Sequence, residues 1–268
     1  MKDIFDCHMH SSISSDSKES MERMVRHGIK AGLSGMIFTE HLDYDFPGFA
    51  PGFLIDWEKY GEHLEAVRAQ FPGFSIGKGM ELGFLPEITE KNRRALLDHQ
   101  DLDMVIHSVH AVDDEDLYDP HFYDGRSRRE AYVKYMRLVL ESTLVAYPYS
   151  VVGHIGFVAK AAPYSDPVLR RGDAPELLDA ALKNITEAGC GIEVNTSGYR
   201  RCGEPIPCGE IIRRYALMGG EIVSIGSDAH KADAVGQYFE PALELIRSCG
   251  LRYVARFEKM KPVMIPIG

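Results

Sequence analysis

The chain has no apolar run approaching the ~18 residues of a membrane-spanning helix, and its opening stretch MKDIFDCHMH lacks the charged-then-apolar pattern of a signal peptide. It is also short of cationic side chains: 30 Lys and Arg against 40 Asp and Glu leave a net charge of −10. An acidic surface repels a nucleic-acid backbone and an anionic membrane, so both are disfavoured as partners. The five cysteines (Cys7, Cys190, Cys202, Cys208, Cys249) are an odd number with no C-x-x-C pair. That argues against a disulfide framework and a cysteine-based structural zinc site. Pro- or Ser-rich linkers, low-complexity tracts and short repeats are missing too. These absences lead to the expectation of one cytoplasmic domain spanning 1–268.

What is present is the balance of a globular protein: 268 residues, 45% hydrophobic and 26% charged. Short runs rich in β-branched residues alternate with longer amphipathic stretches. The runs Ile4–Cys7, Gly35–Phe38, Ser75–Met80, Met104–Ile106, Val151–Val152, Gly191–Val194, Ile222–Ile225 and Tyr253–Phe257 read as strands. Met21–Lys30, Trp57–Gln70, Pro86–His99, Ser127–Ala146, Ala174–Ala188, Gly209–Met218 and Glu240–Cys249 read as helices. Ser20 and Asp56 stand at N-caps, and Gly189 and Gly250 follow helix ends. Strands alternating with helices predict a parallel α/β barrel, whose working loops follow the strands. Two such loops are aromatic or acidic: Asp43–Gly52 and Asp113–Arg129.

The 11 histidines do not scatter at random. His8, His10, His41, His107, His110, His154 and His230 fall at or just beyond the expected strand ends, together with Glu40, Glu81, Glu193, Asn195 and Asp228. His27, His63, His99 and His121 fall on helices or loops. In a parallel barrel all strand C-termini meet on one face, so residues far apart in sequence converge there. Residues i and i+2 of an extended segment point the same way, which lets His8/His10 and Asp228/His230 each aim two side chains into one cavity. His107 and His110 are three apart, and His110, farther past the strand, is the expected ligand. Mixed imidazole and carboxylate donors suit zinc, manganese or iron better than calcium or magnesium.

The motifs D-C-H-M-H (6–10), T-E-H (39–41), G-M-E (79–81), S-V-H (108–110), V-G-H (152–154), E-V-N-T-S-G (193–198) and G-S-D-A-H (226–230) resemble the PHP (polymerase and histidinol phosphatase) superfamily. The run Asn195–Gly209 is similar to its histidinol-phosphate phosphatase branch. The resemblance implies a distorted (β/α)7 TIM-like barrel carrying three divalent metal ions, zinc, manganese or iron. Carried over by position, one metal takes His8, His10, Glu81 and Asp228, and Glu81 bridges to a second held by His110 and His154. A third takes Asp16, His41 and His230. Asp16 stands where many members have a histidine, giving that site a harder ligand. His107 stands where the branch has a small residue, which narrows that side of the pocket.

The expected reaction is phosphate monoester hydrolysis through a metal-bridging hydroxide, with Glu81, His154 and Asp228 central to catalysis. Arg200, Lys160 and Asn195 are the expected substrate-binding residues, since a dianion needs cations beyond the metals. Glu40 is expected to fix an imidazole tautomer. The substrate implied is a small phosphorylated molecule, foremost L-histidinol phosphate. Asp43, Asp45, Asp113, Asp114 and Glu115 offer acidic partners for its amine. Another small phosphomonoester, a nucleotide end, and a catalytically silent metal-binding scaffold are the competing readings. The intact ligand set weighs against the last.

Overall fold

A computed structural model describes residues 3–268. The strands are β1 (Phe5–Asp6), β2 (Gly35–Tyr44), β3 (Gly52–Phe53), β4 (Ser75–Gly83), β5 (Met104–Ser108), β6 (Ala111–Val112), β7 (Glu115–Asp116), β8 (Val151–Val152), β9 (Gly191–Asn195), β10 (Val223–Gly226), β11 (Tyr253–Glu258) and β12 (Lys261–Pro266). Seven of them run parallel in the order β1-β2-β4-β5-β8-β9-β10. The two ends of this sheet are sewn by single backbone bonds: Cys7 N–H to the Ile225 carbonyl (3.0 Å), Asp228 N–H to that of His8 (2.8 Å) and His10 N–H to that of Ala229 (2.9 Å). The result is a nearly closed TIM-like barrel.

The helices are α1 (Met21–Lys30), α2 (Trp57–Gln70), α3 (Thr89–Asp98), α4 (Arg128–Ser142), α5 (Pro175–Glu187), α6 (Tyr199–Cys202), α7 (Gly209–Leu217) and α8 (Phe239–Ser248). Their starts follow the caps. Ser20 accepts from Arg23 N–H, Asp56 from Lys59 N–H, and Ser127 with Glu130 closes a reciprocal box at the head of α4. The helix expected over Pro86–His99 is a short 3-10 turn, Pro86–Ile88, followed by α3. Among the described residues, no helix is long and apolar enough to cross a membrane.

One expectation is corrected. Strands β2 and β4 run on past Phe38 and Met80 to Tyr44 and Gly83, so Glu40, His41 and Glu81 lie within strands rather than beyond them. Their polar residues suggest strand ends, but Glu40 and Glu81 are buried, His41 is half-buried, and all three find partners at the barrel mouth. The strand expected at Tyr253–Phe257, β11, lies outside the seven-stranded barrel. It pairs antiparallel with β12, because Lys259 (φ 48°) and Met260 (φ 64°) make a reversing turn without the Asn-Gly signal that usually marks one.

Candidate metal centre

Register brings the donors together. His41 lies opposite Glu81 across the β2–β4 pair. His8 and His10 flank Met9, whose backbone bridges to Ala229, so the segment after β1 lies alongside Asp228 and His230. His110 and His154 enter from just beyond β5 and β8.

Glu81 is the hub. Its Oε2 is 3.1 Å from His8 Nε2, 3.4 Å from His10 Nε2 and 3.2 Å from His41 Nδ1. Its Oε1 is 2.7 Å from His154 Nε2 and 3.0 Å from His110 Nε2, and accepts from Ser108 Oγ–H at 2.7 Å. Asp228 Oδ1 stands 3.7 Å from His8 Nε2 and 3.5 Å from His10 Nε2. Asp16 Oδ2 reaches His230 Nε2 at 2.9 Å and His41 Nε2 at 3.4 Å. All nine residues carried over as ligands therefore meet in one cluster.

This donor set fits divalent cations. The Nε2 atoms of His8 and His10 face each other at 3.0 Å, and those of His110 and His154 at 3.4 Å. Two lone pairs so placed repel unless a proton or a cation lies between them, and the adjoining carboxylates only accept. Compact groups of candidate donors form around His8–His10–Glu81, Glu81–His110–His154 and His10–His41–His230. A fourth, His41–Asp43–His110, brings in a residue outside the expected ligand set.

The electrostatics agree. Burial works against charge on Glu81, but His8, His110 and His41 overcome it and hold the carboxyl well below its usual range. Burial likewise opposes the Asp228 carboxylate, which Lys160 and His8 keep ionised. Burial and the neighbouring His41 and His230 lower His10 to about 4, while the surrounding carboxylates raise His8, His41 and His110 against their own burial, so that cation binding displaces protons from those three rings. His154 and Asp228 have positive φ, 21° and 54°, a local cost of the kind that gathers at functional sites.

The remaining expected residues divide. Lys160 lines the cavity and its ammonium bonds Asp228 Oδ2. Asn195 is fully buried behind Asp228, donating to its Oδ2 at 3.2 Å, and does not line the cavity. Arg200 departs from expectation: it is exposed on α6, bonds Gln237 Oε1 at 2.9 Å, and is not a cavity residue. His107 does not narrow the pocket. Its ring turns away from the cluster, stacks on Tyr149, and Nε2 bonds the Ser142 carbonyl at 3.0 Å. Alternation within β5 explains this, since Ser108 beside it faces Glu81. Glu40 fixes no imidazole directly; it accepts from the hydroxyls of Ser11 and Ser14 at 2.6 Å and so ties down the loop after His10.

Sequence reasoning passed over three supports. Asp43, read as a loop residue, lies in β2 and holds His110 Nδ1 at 2.7 Å. Its i+2 relation to His41 was the available signal. Gly83 makes room for it: a Cβ there would lie 1.9 Å from Asp43 Oδ1. Glu193 holds His8 Nδ1 at 2.5 Å, and Ser108 holds Glu81.

Above the cluster opens a cavity of about 380 Å³. Its lining includes Glu81, His110, His154, Asp228 and Lys160 together with Phe46, Phe53, Phe157, Tyr118 and Asp116. Charge-binding groups and aromatic surface with a carboxylate thus share one cavity.

Comparison with known proteins places this geometry in context. The PHP domain model matches residues 6–197. The chain is 31% identical to a probable histidinol-phosphatase of Clostridium acetobutylicum, over 96% of this chain and 97% of that protein. It is 28% identical to the histidinol-phosphatase of Lactococcus lactis, over 96% and 95%. Among solved structures, the Lactococcus lactis histidinol phosphate phosphatase complexed with zinc, L-histidinol and phosphate superposes with a TM-score of 0.89 at 27% identity, over 97% of this chain and 98% of that one.

Proposed function

The chain belongs to the PHP domain family, and on that premise we propose that this cavity hydrolyses L-histidinol phosphate to histidinol and phosphate, with three divalent cations, zinc, manganese or iron, held by the nine clustered residues. The observation that carries the reading is the meeting of two chemistries in one cavity: a multidentate cation site and an aromatic, acid-bearing lining. The first suits a phosphate dianion and the second a cationic amine and an imidazole. The relatives' names and the zinc, histidinol and phosphate in the related crystal structure support the same choice.

His8, His10, Glu81 and Asp228 would hold one cation, Glu81, His110 and His154 a second, and Asp16, His41 and His230 a third. When bound, these cations supply Lewis acidity, drawing charge from phosphoryl oxygens and lowering the pKa of a coordinated water towards ~7. The protein's own groups do the rest. Lys160, paired with Asp228 on one side, keeps N–H donors for a phosphoryl oxygen. Asp228 holds that ammonium in place and, with burial opposing, raises its pKa so that it stays charged. Phe46, Phe53 and Phe157 offer ring faces to the substrate's imidazole, and Asp116 offers a carboxylate to its amine. In the overall reaction a water oxygen bonds to phosphorus, the P–O bond to the alcohol breaks, and the alcohol oxygen takes a proton.

The test is phosphate release from a panel of phosphomonoesters by protein loaded with zinc, manganese or iron, beside Glu81→Gln. Preference for histidinol phosphate, with kcat lost ~100-fold or more and bound metal reduced in the variant, is the expected result. Equal turnover of unrelated monoesters would overturn the substrate, and full activity of the variant would overturn the site.

A further inference from the structure

We infer that Glu193, a residue that cannot reach the substrate, is a positioning residue that aims the donor atoms of two different cation positions at once. The inference rests on the metal centre of the proposed function but not on its substrate. Glu193 lies in β9, is fully buried, and does not line the cavity.

Its two oxygens do separate work. Oε1 is 2.5 Å from His8 Nδ1. A carboxylate only accepts, so Nδ1 carries a proton towards Oε1, which leaves Nε2, 3.1 Å from Glu81 Oε2, as the ring atom turned to the cation position. Oε2 accepts from the backbone N–H of His154 at 2.8 Å. That bond secures a residue with positive φ, and its imidazole Nε2 thereby meets Glu81 Oε1 at 2.7 Å. His8 and His154 belong to different cation positions that share Glu81, so one carboxylate sets the approach of both.

Neighbouring residues are arranged around this carboxylate. Asn195, two residues on and on the same face of β9, donates Nδ2 towards both Glu193 oxygens at 3.3 Å and towards Asp228 Oδ2 at 3.2 Å. Gly226 on the adjacent strand leaves the space: a Cβ there would lie 2.7 Å from Glu193 Oε1 and 2.4 Å from His8 Cβ. A carboxylate that serves only the fold would also join these strands, and metal retention separates the two roles.

Glu193→Gln keeps the volume but offers one acceptor oxygen to two donors and turns an N–H against one of them. Full-length variant and parent are loaded with zinc or manganese, equilibrated against buffered free metal, and assayed for metal per chain, melting of the metal-free form, kcat and KM. The expected result is a ~10–100-fold higher free-metal requirement, a parallel fall in kcat at limiting metal, and KM within about 2-fold. The metal-free variant still melts cooperatively, at a temperature lowered by no more than one unmade buried hydrogen bond accounts for. Glu193→Asp, which keeps the charge but retracts it by one methylene, is expected to lose metal in the same way. Parental metal retention in either folded variant would overturn the inference. So would failure of both variants to fold in excess metal, which would make the carboxylate a prop of the fold. If histidinol phosphate proves the wrong substrate while metal retention still shifts, the proposed function fails and this inference stands.

Discussion

Lys160 and Arg200 are both cations that a phosphate could use, and the fold separates them. Lys160 lines the cavity with its ammonium against Asp228, whereas the Arg200 guanidinium bonds Gln237 in solvent. A charge-assisted hydrogen bond to a dianion contributes about 1.5–3 kcal/mol, or roughly 10–100-fold in affinity. Lys160→Met is therefore expected to raise KM for the phosphomonoester by about that factor, while Arg200→Ala changes it less than ~3-fold. Steady-state kinetics on both variants check the ranking, and an Arg200 effect equal to or larger than that of Lys160 would reverse it. The residue types of this site were legible in the sequence, because metal chemistry needs imidazoles and carboxylates whatever the fold. Which cation faces the cavity was not, since a motif places a residue in the chain but not its side chain in space.

Strand β2 shows what an element adds. Glu40, His41 and Asp43 lie in a strand that runs to Tyr44, so His41 and Asp43 share a face and both reach the cluster. Asp43 crosses Gly83, the last residue of β4, to hold His110. Gly83→Ala would push the Asp43 carboxylate aside and release the His110 ring. The expected outcome is a kcat drop of about 10-fold or more with a modest stability cost of ~1–3 kcal/mol, read by activity and by thermal melting. Unchanged kcat in a stable variant would show that His110 needs no such support. The sequence hid this because its polar residues looked like a loop, and only pairing with β4 and, at Asp43 and Tyr44, with β3 keeps them in a strand.

At the scale of the whole molecule, the sheet divides polar groups between the barrel mouth and the helix layer, and His107 falls in the second. It lies among Phe84, Tyr147 and Tyr149, and burial lowers its pKa from 6.5 to about 4, the Ser142 carbonyl only partly opposing. The native state therefore refuses a proton that the unfolded chain accepts near pH 6.5. Its contribution to stability is complete above that pH and is lost as pH falls from about 6.5 to 4, a total on the order of 3 kcal/mol. His107→Phe is expected to flatten that part of the stability-versus-pH curve, measured by denaturant unfolding on metal-free protein. An identical acid limb in parent and variant would assign the loss to other groups.

The alternation of strands and helices and the order of the His, Glu and Asp motifs were enough to specify a parallel barrel with a metal-binding mouth. Period and residue chemistry are local properties, and strand C-termini of such a barrel share one face. Tertiary structure alone decided three further matters. It turned β11 back onto β12 rather than into the barrel, because the turn at Lys259–Met260 carries no usual residue signature. It sent His107 and Ser108 to opposite sides of one strand. And it set Asp43 and Glu193 behind the imidazoles they orient, since contacts between residues 67 positions apart (Asp43 and His110) and 185 positions apart (His8 and Glu193) exist only once the sheet has formed.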